Sequence, residues 1–427
     1  MVGVALFGGM LFFMLLGIPI VFSIGLASVL AMLSMGSTLP WVFIPSSMIN
    51  GMDSFPLMAV PFFILAGELM NRGGIAERLV AFANAIVGHI RGGLGHATVV
   101  SNTMLAMDTG SALAQVAAIG RIMIPAMERH GYPRDFATAL VCSASLLGPI
   151  IPPSITMVIY AITAGASVGA LFLAGIVPGI LWAGGLMLYV YFRARALGEQ
   201  PLQRFSLREV GRTGYNAILA LLMPVIILGG IFAGIMTPTE SAAVAVLYAA
   251  IIGFLVFRKL SFQDLYKCLL NTGILTSFIM LIVGAARIFS DLLASEAVPQ
   301  AIIEIMLGIT TEPVFLLLLI NVLLLILGCL MDTTAAIIIL TPVLLPVALQ
   351  AGMDPVLFGI VMTLNLVIGM ATPPVGVALF LAAEIGGVRV ERLVARIWPL
   401  LLVQIAVLLF ITYVPAVPLA LPRFFEY

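Results

Sequence analysis

Long apolar stretches follow one another along almost the whole chain, separated by short segments that hold nearly all the charged residues. A helix needs about 20 mostly apolar residues to cross the hydrocarbon core of a bilayer. By that measure the pattern predicts spans at about residues 1–16, 19–35, 54–71, 134–165, 168–192, 214–235, 238–257, 270–290, 356–385 and 397–420. The apolar N-terminus lacks the basic segment and the cleavage site of a signal peptide, so we interpret it as the first span.

Two further apolar regions, 94–128 and 314–349, are each interrupted by a polar tetrapeptide. These are MDTG at residues 107–110 and MDTT at residues 331–334. The arms on either side correspond to roughly 21–25 Å of helix at 1.5 Å per residue, which is short for a complete crossing. We therefore predict two re-entrant helical hairpins, a structure allowed only where protein or water surrounds the polar tip.

A broken span follows each hairpin, and an amphipathic segment precedes it. The break of the span 134–165 is GPIIPPS at 148–154, and the break of the span 356–385 is GMATPPV at 369–375. The amphipathic segments, which we predict to be interfacial arm helices, are 74–90 and 297–311.

The same order of features therefore occurs twice. Aligning Pro125 with Pro346 superimposes, without a gap, Gly131 on Gly352, Gly148 on Gly369 and Pro152-Pro153 on Pro373-Pro374. We divide the chain into a first repeat at 1–165, a connecting span and loop at 166–213, a second repeat at 214–385, and a C-terminal span and tail at 386–427.

The distribution of positive charge predicts the topology. If the N-terminus and the C-terminus are both periplasmic, every Lys and Arg except Arg287 and Arg423 falls on the cytoplasmic side, as the positive-inside rule requires. The two hairpins then enter from opposite sides, so the repeats are inverted. Inverted repeats with a site near the bilayer midplane are a recurring plan of secondary transporters.

Composition excludes several other classes of protein. The chain is 62% hydrophobic and 9% charged, whereas a soluble globular protein carries about 25% charged residues. The net charge of zero gives no indication of nucleic-acid binding, and the three cysteines show neither disulfide nor metal-site spacing. We find no ATP-binding loop and no nucleophile with a companion base. We therefore predict an all-α polytopic membrane protein that is not an enzyme.

The broken spans offer groups that suit a cation and an anion together. Prolines remove backbone donors and leave carbonyl groups of the preceding turn free. Such carbonyls can bind Na⁺, while the N-termini of the half-helices that follow present amides and a positive dipole end to a carboxylate.

Two sets of candidate residues follow from this arrangement. The predicted sodium ligands are Asn102, Asp108, Gly110, Gly148, Asp332, Thr333, Thr334, Gly369 and Thr372. The predicted substrate contacts are Thr109, Ser111, Pro152, Ser154, Pro373 and Arg287. Oxygen ligands suit a hard cation, and a bound cation would offset the cost of about 2.5–3.5 kcal/mol for an Asp at the bilayer centre.

Four of the charged residues also have a purely structural interpretation. Asp108 and Asp332 could each act as the N-cap of a helix at a hairpin turn. Glu68 and Arg287, in the spans that precede the hairpins, could form structural ion pairs or extend to the interface.

Six longer motifs extend the pattern over about residues 1–420. They are VPFFILAGELMNRGGIAERL, GSALA at the first tip, GPIIPPSITMVIY, GIMTPTESAAVAV, MDTTAAIIILTPVLLPVA and GMDPVLFGIVMTLNLVIGMATPPVGVALF. Together they resemble the large membrane subunit of tripartite ATP-independent periplasmic (TRAP) transporters.

The resemblance implies an elevator-type fold, a small four-helix membrane partner, a periplasmic substrate-binding protein and Na⁺ as the coupling ion. It assigns Gly110, Ser111 and Gly148 to a first sodium site with its adjoining substrate pocket. A second sodium site would contain Asp332, Thr333, Gly369 and Thr372.

The chain departs from the family pattern at the first tip. The family often has Met-Ser-Gly-Ser-x-x-Ala-Asp there, whereas this chain has an acid before the tip, Asp108, and Gln115 at the position of the later acid.

These observations favour one function over two alternatives. We expect the transport subunit of a Na⁺-coupled importer in the bacterial inner membrane, with a C4-dicarboxylate, sialic acid or a similar carboxylate as substrate. The alternatives are an autonomous sodium–dicarboxylate or citrate-type carrier, which needs no binding protein, and a membrane enzyme.

Overall fold

The computed structural model of the chain describes residues 2–34, 41–198, 201, 204–310 and 312–426, and all regular structure in this part is helical. The helices α1 to α10 are Val2–Leu15, Ile20–Ser34, Phe43–Met52, Ala59–Arg72, Ile75–Val87, Gly93–Thr109, Ala112–Arg129, Arg134–Ser145, Ile155–Ala164 and Val168–Ala196. The helices α11 to α20 are Leu207–Phe232, Pro238–Ile251, Phe262–Ser295, Val298–Ile309, Pro313–Gly328, Thr333–Gln350, Pro355–Gly369, Val377–Gly386, Val390–Tyr413 and Ala420–Phe424.

The helices confirm an all-α polytopic membrane protein. Six described helices are long and apolar enough to cross a membrane, or up to eight if each of two bent helix pairs counts as one span. The sequence predicts more spans because each broken span consists of two shorter helices, and because α1 and α2 have only 14 and 15 residues. Of the predicted segments and loops, residues 1, 35–40, 199–200, 202–203, 311 and 427 lie outside the described residues.

Helix pairs occupy both predicted hairpins and both predicted broken spans. The hairpins are α6 with α7 and α15 with α16. The first broken span is α8 with α9, and the second is α17 with α18. The predicted arm segments contain α5 and α14.

Side-chain caps begin the helices that follow the interruptions. The Ser111 hydroxyl accepts a hydrogen bond from the Ala114 amide at 3.4 Å, which begins α7. The Ser154 hydroxyl accepts from the Met157 amide at 3.3 Å in the same way at α9. Each cap satisfies one of the amides that a helix N-terminus leaves without a partner.

Some element boundaries differ from the prediction. The sequence pattern does not predict α3, because Pro45, Ser46, Ser47 and Asn50 interrupt its apolar residues. Helix α13 has 34 residues, whereas the predicted span is 270–290. Its start is set by a capping box between Ser261 and Asp264 in the polar segment that precedes the apolar run.

Each repeat packs its hairpin against the broken span of the other repeat. The second arm of the first hairpin, α7, packs on α18, and the second arm of the second hairpin, α16, packs on α9. Each second arm therefore lies against the distal half of the other repeat's broken span. Helices α4 and α13 pack on the hairpin helices α6 and α16. This packing brings both tips and both breaks toward one place in the molecule.

Candidate functional site

Both hairpin tips line a single cavity of about 270 Å³. This is close to the lower end of the volumes of small-molecule sites. The tip residues in its wall are Thr109, Gly110, Ser111, Asp332, Thr333 and Thr334. Residues of α4 and α13 and residues beside the breaks complete the wall, including Gly67, Glu68, Asn71, Pro149, Thr156, Phe278, Ile279 and Met370. Five residues of the two distant tetrapeptides, together with the adjoining Ser111, therefore share one cavity.

Glycines in the breaks allow each tip to approach its own repeat's broken span closely. A Cβ atom on Gly148 would lie 2.8 Å from the carbonyl carbon of Ser111. A Cβ atom on Gly369 would overlap the backbone of Gly328, at the end of α15. The backbone of each hairpin, at Ser111 and at Gly328, therefore lies close to the break of the same repeat.

A buried amide brace lies behind each tip. In the first repeat, the Ser145 hydroxyl of α8 donates to Asn102 Oδ1 of α6 at 3.0 Å. In the second repeat, Asn365 Nδ2 of α17 donates to Asn321 Oδ1 of α15 at 2.8 Å. Asn102 is fully buried in this brace and does not line the cavity. Each brace fixes the first arm of a hairpin to the proximal half of its broken span.

Gln115 joins the first brace to the first tip. Its side chain is fully buried, and its amide lies 3.3 Å from the Thr109 hydroxyl in one orientation. With the amide turned, its nitrogen lies 3.2 Å from Asn102 Oδ1. The sequence pattern did not mark Gln115 as a site residue. The available signal was its position, where the family motif has an acid.

The two tip carboxylates have different surroundings. Asp332 is exposed to the cavity, and its Oδ1 accepts from the Thr334 amide at 2.9 Å, which caps α16. Asp108 lies within α6, is buried and does not line the cavity. Its Oδ1 has no hydrogen-bond partner in the described part of the chain. It is therefore not the N-cap that the structural interpretation predicted.

The predicted polar residues of the breaks, Ser154 and Thr372, do not line the cavity. The Ser154 hydroxyl donates to the Pro149 carbonyl at 2.5 Å, and the Thr372 hydroxyl donates to the Ile368 carbonyl at 2.8 Å. Both peptide bonds Pro152-Pro153 and Pro373-Pro374 are cis. None of these predicted residues lines the cavity, whereas Thr156, which sequence reasoning missed, does. The breaks thus shape the cavity mainly through Pro149, Met370 and the start of α9.

Of the two charged residues in the helices that precede the hairpins, Glu68 lines the cavity and Arg287 does not. Glu68 lines the cavity and lies 3.7 Å from Arg72, which lies 3.7 Å from Asp264. Arg287 does not line the cavity, and its guanidinium pairs with Asp291 at 3.1 Å. The predicted structural ion pairs are therefore present for both residues. Arg287 is not part of the proposed substrate site, because it does not line the cavity that the two tips share.

Comparison with known proteins places this architecture in a family. The model of the tripartite ATP-independent periplasmic transporter DctM component matches residues 7–417. This chain belongs to the DctM family. It is therefore a subunit of a membrane transporter, with several spans in the inner membrane.

Relatives in the DctM family share sequence along nearly the whole chain. The chain is 40% identical to the C4-dicarboxylate TRAP transporter large permease protein DctM of Rhodobacter capsulatus, over 98% of both chains. It is 43% identical to the isethionate TRAP transporter permease protein DctMQ of Oleidesulfovibrio alaskensis. That match covers 97% of this chain and 65% of the relative, so this chain spans about two thirds of the relative's length.

A solved transporter structure supports the fold. The YdaH transporter of Alcanivorax borkumensis, described as having an unusual topology, superimposes with a TM-score of 0.60. The match covers 89% of this chain and 90% of that chain at 15% identity. The likeness concerns the fold alone.

Proposed function

We propose that this DctM-family chain is the transport subunit of a Na⁺-coupled importer of organic acids. The observation that carries the proposal is the meeting of both tips, Thr109 to Ser111 and Asp332 to Thr334, in one cavity. Chemically, this cavity combines hydroxyl, carboxylate and backbone oxygens with the N-termini of three helices, α7, α9 and α16.

The proposed sodium sites lie where each tip meets a break. The first contains backbone groups of Gly110, Ser111 and Gly148, and the second contains Asp332, Thr333, Gly369 and Thr372. A hard monovalent cation suits this donor set, because hard cations prefer carbonyl, hydroxyl and carboxylate oxygens. In the described residues, no group of three or more His, Cys, Asp and Glu forms a site of the kind that transition metals use.

The proposed substrate site lies between the tips. A carboxylate there would accept hydrogen bonds from the amides at the N-termini of α7 and α16 and from the hydroxyls of Ser111 and Thr333. The names of the two relatives above, a C4-dicarboxylate and an isethionate permease, both specify an organic anion. In this proposal the cations bind where tip and break meet and the anion binds between the tips, so both ions can be transported together.

The proposed energy source is the sodium gradient. One positive charge moving inward gains about 2.3 kcal/mol per 100 mV of membrane potential. Two Na⁺ with a monoanion, or three with a dianion, carry one net positive charge inward, so the membrane potential then adds to the sodium gradient. We propose that the tips and breaks move as one body against α4 and α13, in the elevator manner of inverted repeats.

The proposed partners are a small four-helix membrane subunit and a periplasmic binding protein that delivers the substrate. We propose no ATPase and no catalytic reaction. The N-terminus and C-terminus are both proposed to be periplasmic, because that orientation leaves the basic loops on the cytoplasmic side.

Uptake by the reconstituted complex tests this function. The chain and its small subunit would be placed in proteoliposomes, and binding protein loaded with labelled organic acid would be added outside. We expect uptake with an inward Na⁺ gradient and none when K⁺ or choline replaces Na⁺. Ion-independent uptake would contradict the coupling, and full uptake by this chain alone would favour the autonomous carrier.

A further inference from the structure

A second, strongly polar cavity adjoins the central one. Its polar side chains belong to Asn71, Arg72, Glu77, Arg78, Asn216 and Lys259. We call this cavity the basic vestibule. Asn71 lines both cavities, and on the same helix Glu68 lines the central cavity while Arg72, one turn later, lines the vestibule. The end of α4 is therefore the wall between them.

Two of the three vestibule cations have no carboxylate partner. Arg72 pairs with Glu68 and Asp264. Arg78 donates to the Asn216 carbonyl at 3.3 Å, and its guanidinium lies 3.6 Å from the centre of the Phe257 ring. In the described part of the chain, neither Arg78 nor Lys259 forms an ion pair. Among the described residues, the vestibule wall therefore holds three cations and one carboxylate, that of Glu77, so its net charge is positive.

An irregular backbone builds this side of the vestibule. Helix α12 continues into a π-helical turn at Ile252–Val256, a feature that occurs frequently at functional sites. Arg258 then adopts a left-handed conformation with φ of 50°, which is uncommon for a residue other than glycine. This reversal places the Phe257 ring under Arg78 and brings the stem of Lys259 toward Gly74.

We propose that the basic vestibule binds the organic carboxylate as it passes between the central cavity and the membrane side that carries the basic loops. The inference rests on the proposed function. The carboxylates of Glu68 and Asp332 line the central cavity, so an anion leaving it moves away from negative charge. A cleft with a net positive charge and walls of low dielectric concentrates anions. Arg78 and Lys259 therefore lower the barrier to release.

The positive-inside rule would place basic residues on this side even without such a role. Arg258 and Lys267 provide the comparison, because both belong to the same basic segment and are exposed, but neither lines the vestibule. If only the general charge of the loops matters, removing Arg258 has the same effect as removing Lys259. If the vestibule binds the anion, only its own cations matter.

The test uses the complete complex in proteoliposomes, with loaded binding protein outside. We expect Lys259→Gln and Arg78→Gln to lower the maximal uptake rate three- to tenfold, without changing the concentration of loaded binding protein that gives half-maximal uptake. Lys259→Arg should restore the rate, and Arg258→Gln and Lys267→Gln should match the wild type. A purely structural role would instead lower the thermal unfolding temperature and would not be rescued selectively by arginine.

Salt inside the liposomes gives an independent measurement. Screening shortens the electrostatic range from about 30 Å at 0.01 M to about 3 Å at 1 M salt. Internal potassium salt should therefore slow wild-type uptake and have less effect on the double variant Arg78→Gln, Lys259→Gln. Equal salt dependence, or equal effects in the control variants, would overturn the inference.

The experiment also distinguishes lipid binding at the vestibule from failure of the proposed function. If the effect of Lys259→Gln disappears in liposomes without anionic lipid, the vestibule binds a lipid headgroup and the inference is wrong. If the wild-type complex takes up no organic acid with a Na⁺ gradient, the proposed function is wrong, and the vestibule inference that rests on it is wrong as well. The vestibule inference fails by itself when the wild type transports normally and the variants do too.

Discussion

Asp332 accepts a hydrogen bond from the Thr334 amide through Oδ1, at 2.9 Å, while the residue faces the cavity shared by both tips. One carboxylate oxygen thus caps α16, and no described hydrogen bond uses the other. The structural and the ionic interpretations of Asp332 are therefore compatible. Asparagine is as good an N-cap as aspartate but carries no charge, so a substitution can separate the two roles.

We predict that Asp332→Asn keeps the fold and lowers Na⁺-dependent uptake at least tenfold, whereas Asp332→Ala also loses about 0.5–2 kcal/mol of helix stability. The measurements are the Na⁺ concentration for half-maximal uptake and the thermal unfolding temperature. Asp354 is a matched control, because it caps α17 through Oδ1 at 2.8 Å and does not line the cavity. Equal loss of transport in Asp354→Asn would remove the argument for a charge at Asp332.

We predict that Gly148→Ala and Gly369→Ala each reduce Na⁺ affinity and uptake at least tenfold. The added methyl group would collide with the backbone of Ser111 at the first tip, or with that of Gly328 at the end of α15, and push the hairpin away from the break. Gly184 in α10 is the control, because a Cβ atom there would meet nothing within 4 Å. Gly184→Ala should transport normally and be equally or slightly more stable, since Gly inside a helix costs about 0.5–1 kcal/mol relative to Ala. Wild-type Na⁺ affinity in Gly369→Ala would contradict the second proposed site.

Sequence reasoning identified the elements of the site because they depend on local signals. Polar tetrapeptides inside apolar stretches predicted the tips, and proline pairs after glycine predicted the breaks. The internal alignment of Pro125 with Pro346 paired them correctly with their counterparts. The cavity brings the six predicted tip residues together as those signals suggested.

Local sequence signals do not show which residues face the cavity or which residues of other elements they contact. Whether a residue such as Ser154 or Asn102 faces the cavity or lies behind it depends on the rotation of packed helices, which single spacings do not fix. Thr156 and Gln115 were missed for the same reason, since their importance comes from contacts with another element.

We predict that Arg72→Gln reduces uptake at least fivefold and that the double variant Glu68→Gln, Arg72→Gln regains much of it. Glu68 lines a cavity that would bind an anion, and Arg72 lies 3.7 Å from its carboxylate. Removing Arg72 alone leaves an uncompensated negative charge that repels the substrate, and removing both charges relieves the repulsion. Uptake rates of the four combinations form a double-mutant cycle. Additive losses would show that the pair does not act as a unit.

We predict that Asp108→Asn retains Na⁺-dependent uptake within about twofold of the wild type. Asp108 is buried outside the cavity wall, and its Oδ1 has no partner among the described residues. A charge with no partner in that place would be costly, so an uncharged amide of the same shape is expected to replace the carboxyl group with little change. The half-saturating Na⁺ concentration of Asp108→Asn, measured beside that of Asp332→Asn, checks this. A tenfold loss of Na⁺ affinity in Asp108→Asn would contradict this prediction. It would show that Asp108 is a sodium ligand and that a cation binds on the α4 side of the first tip.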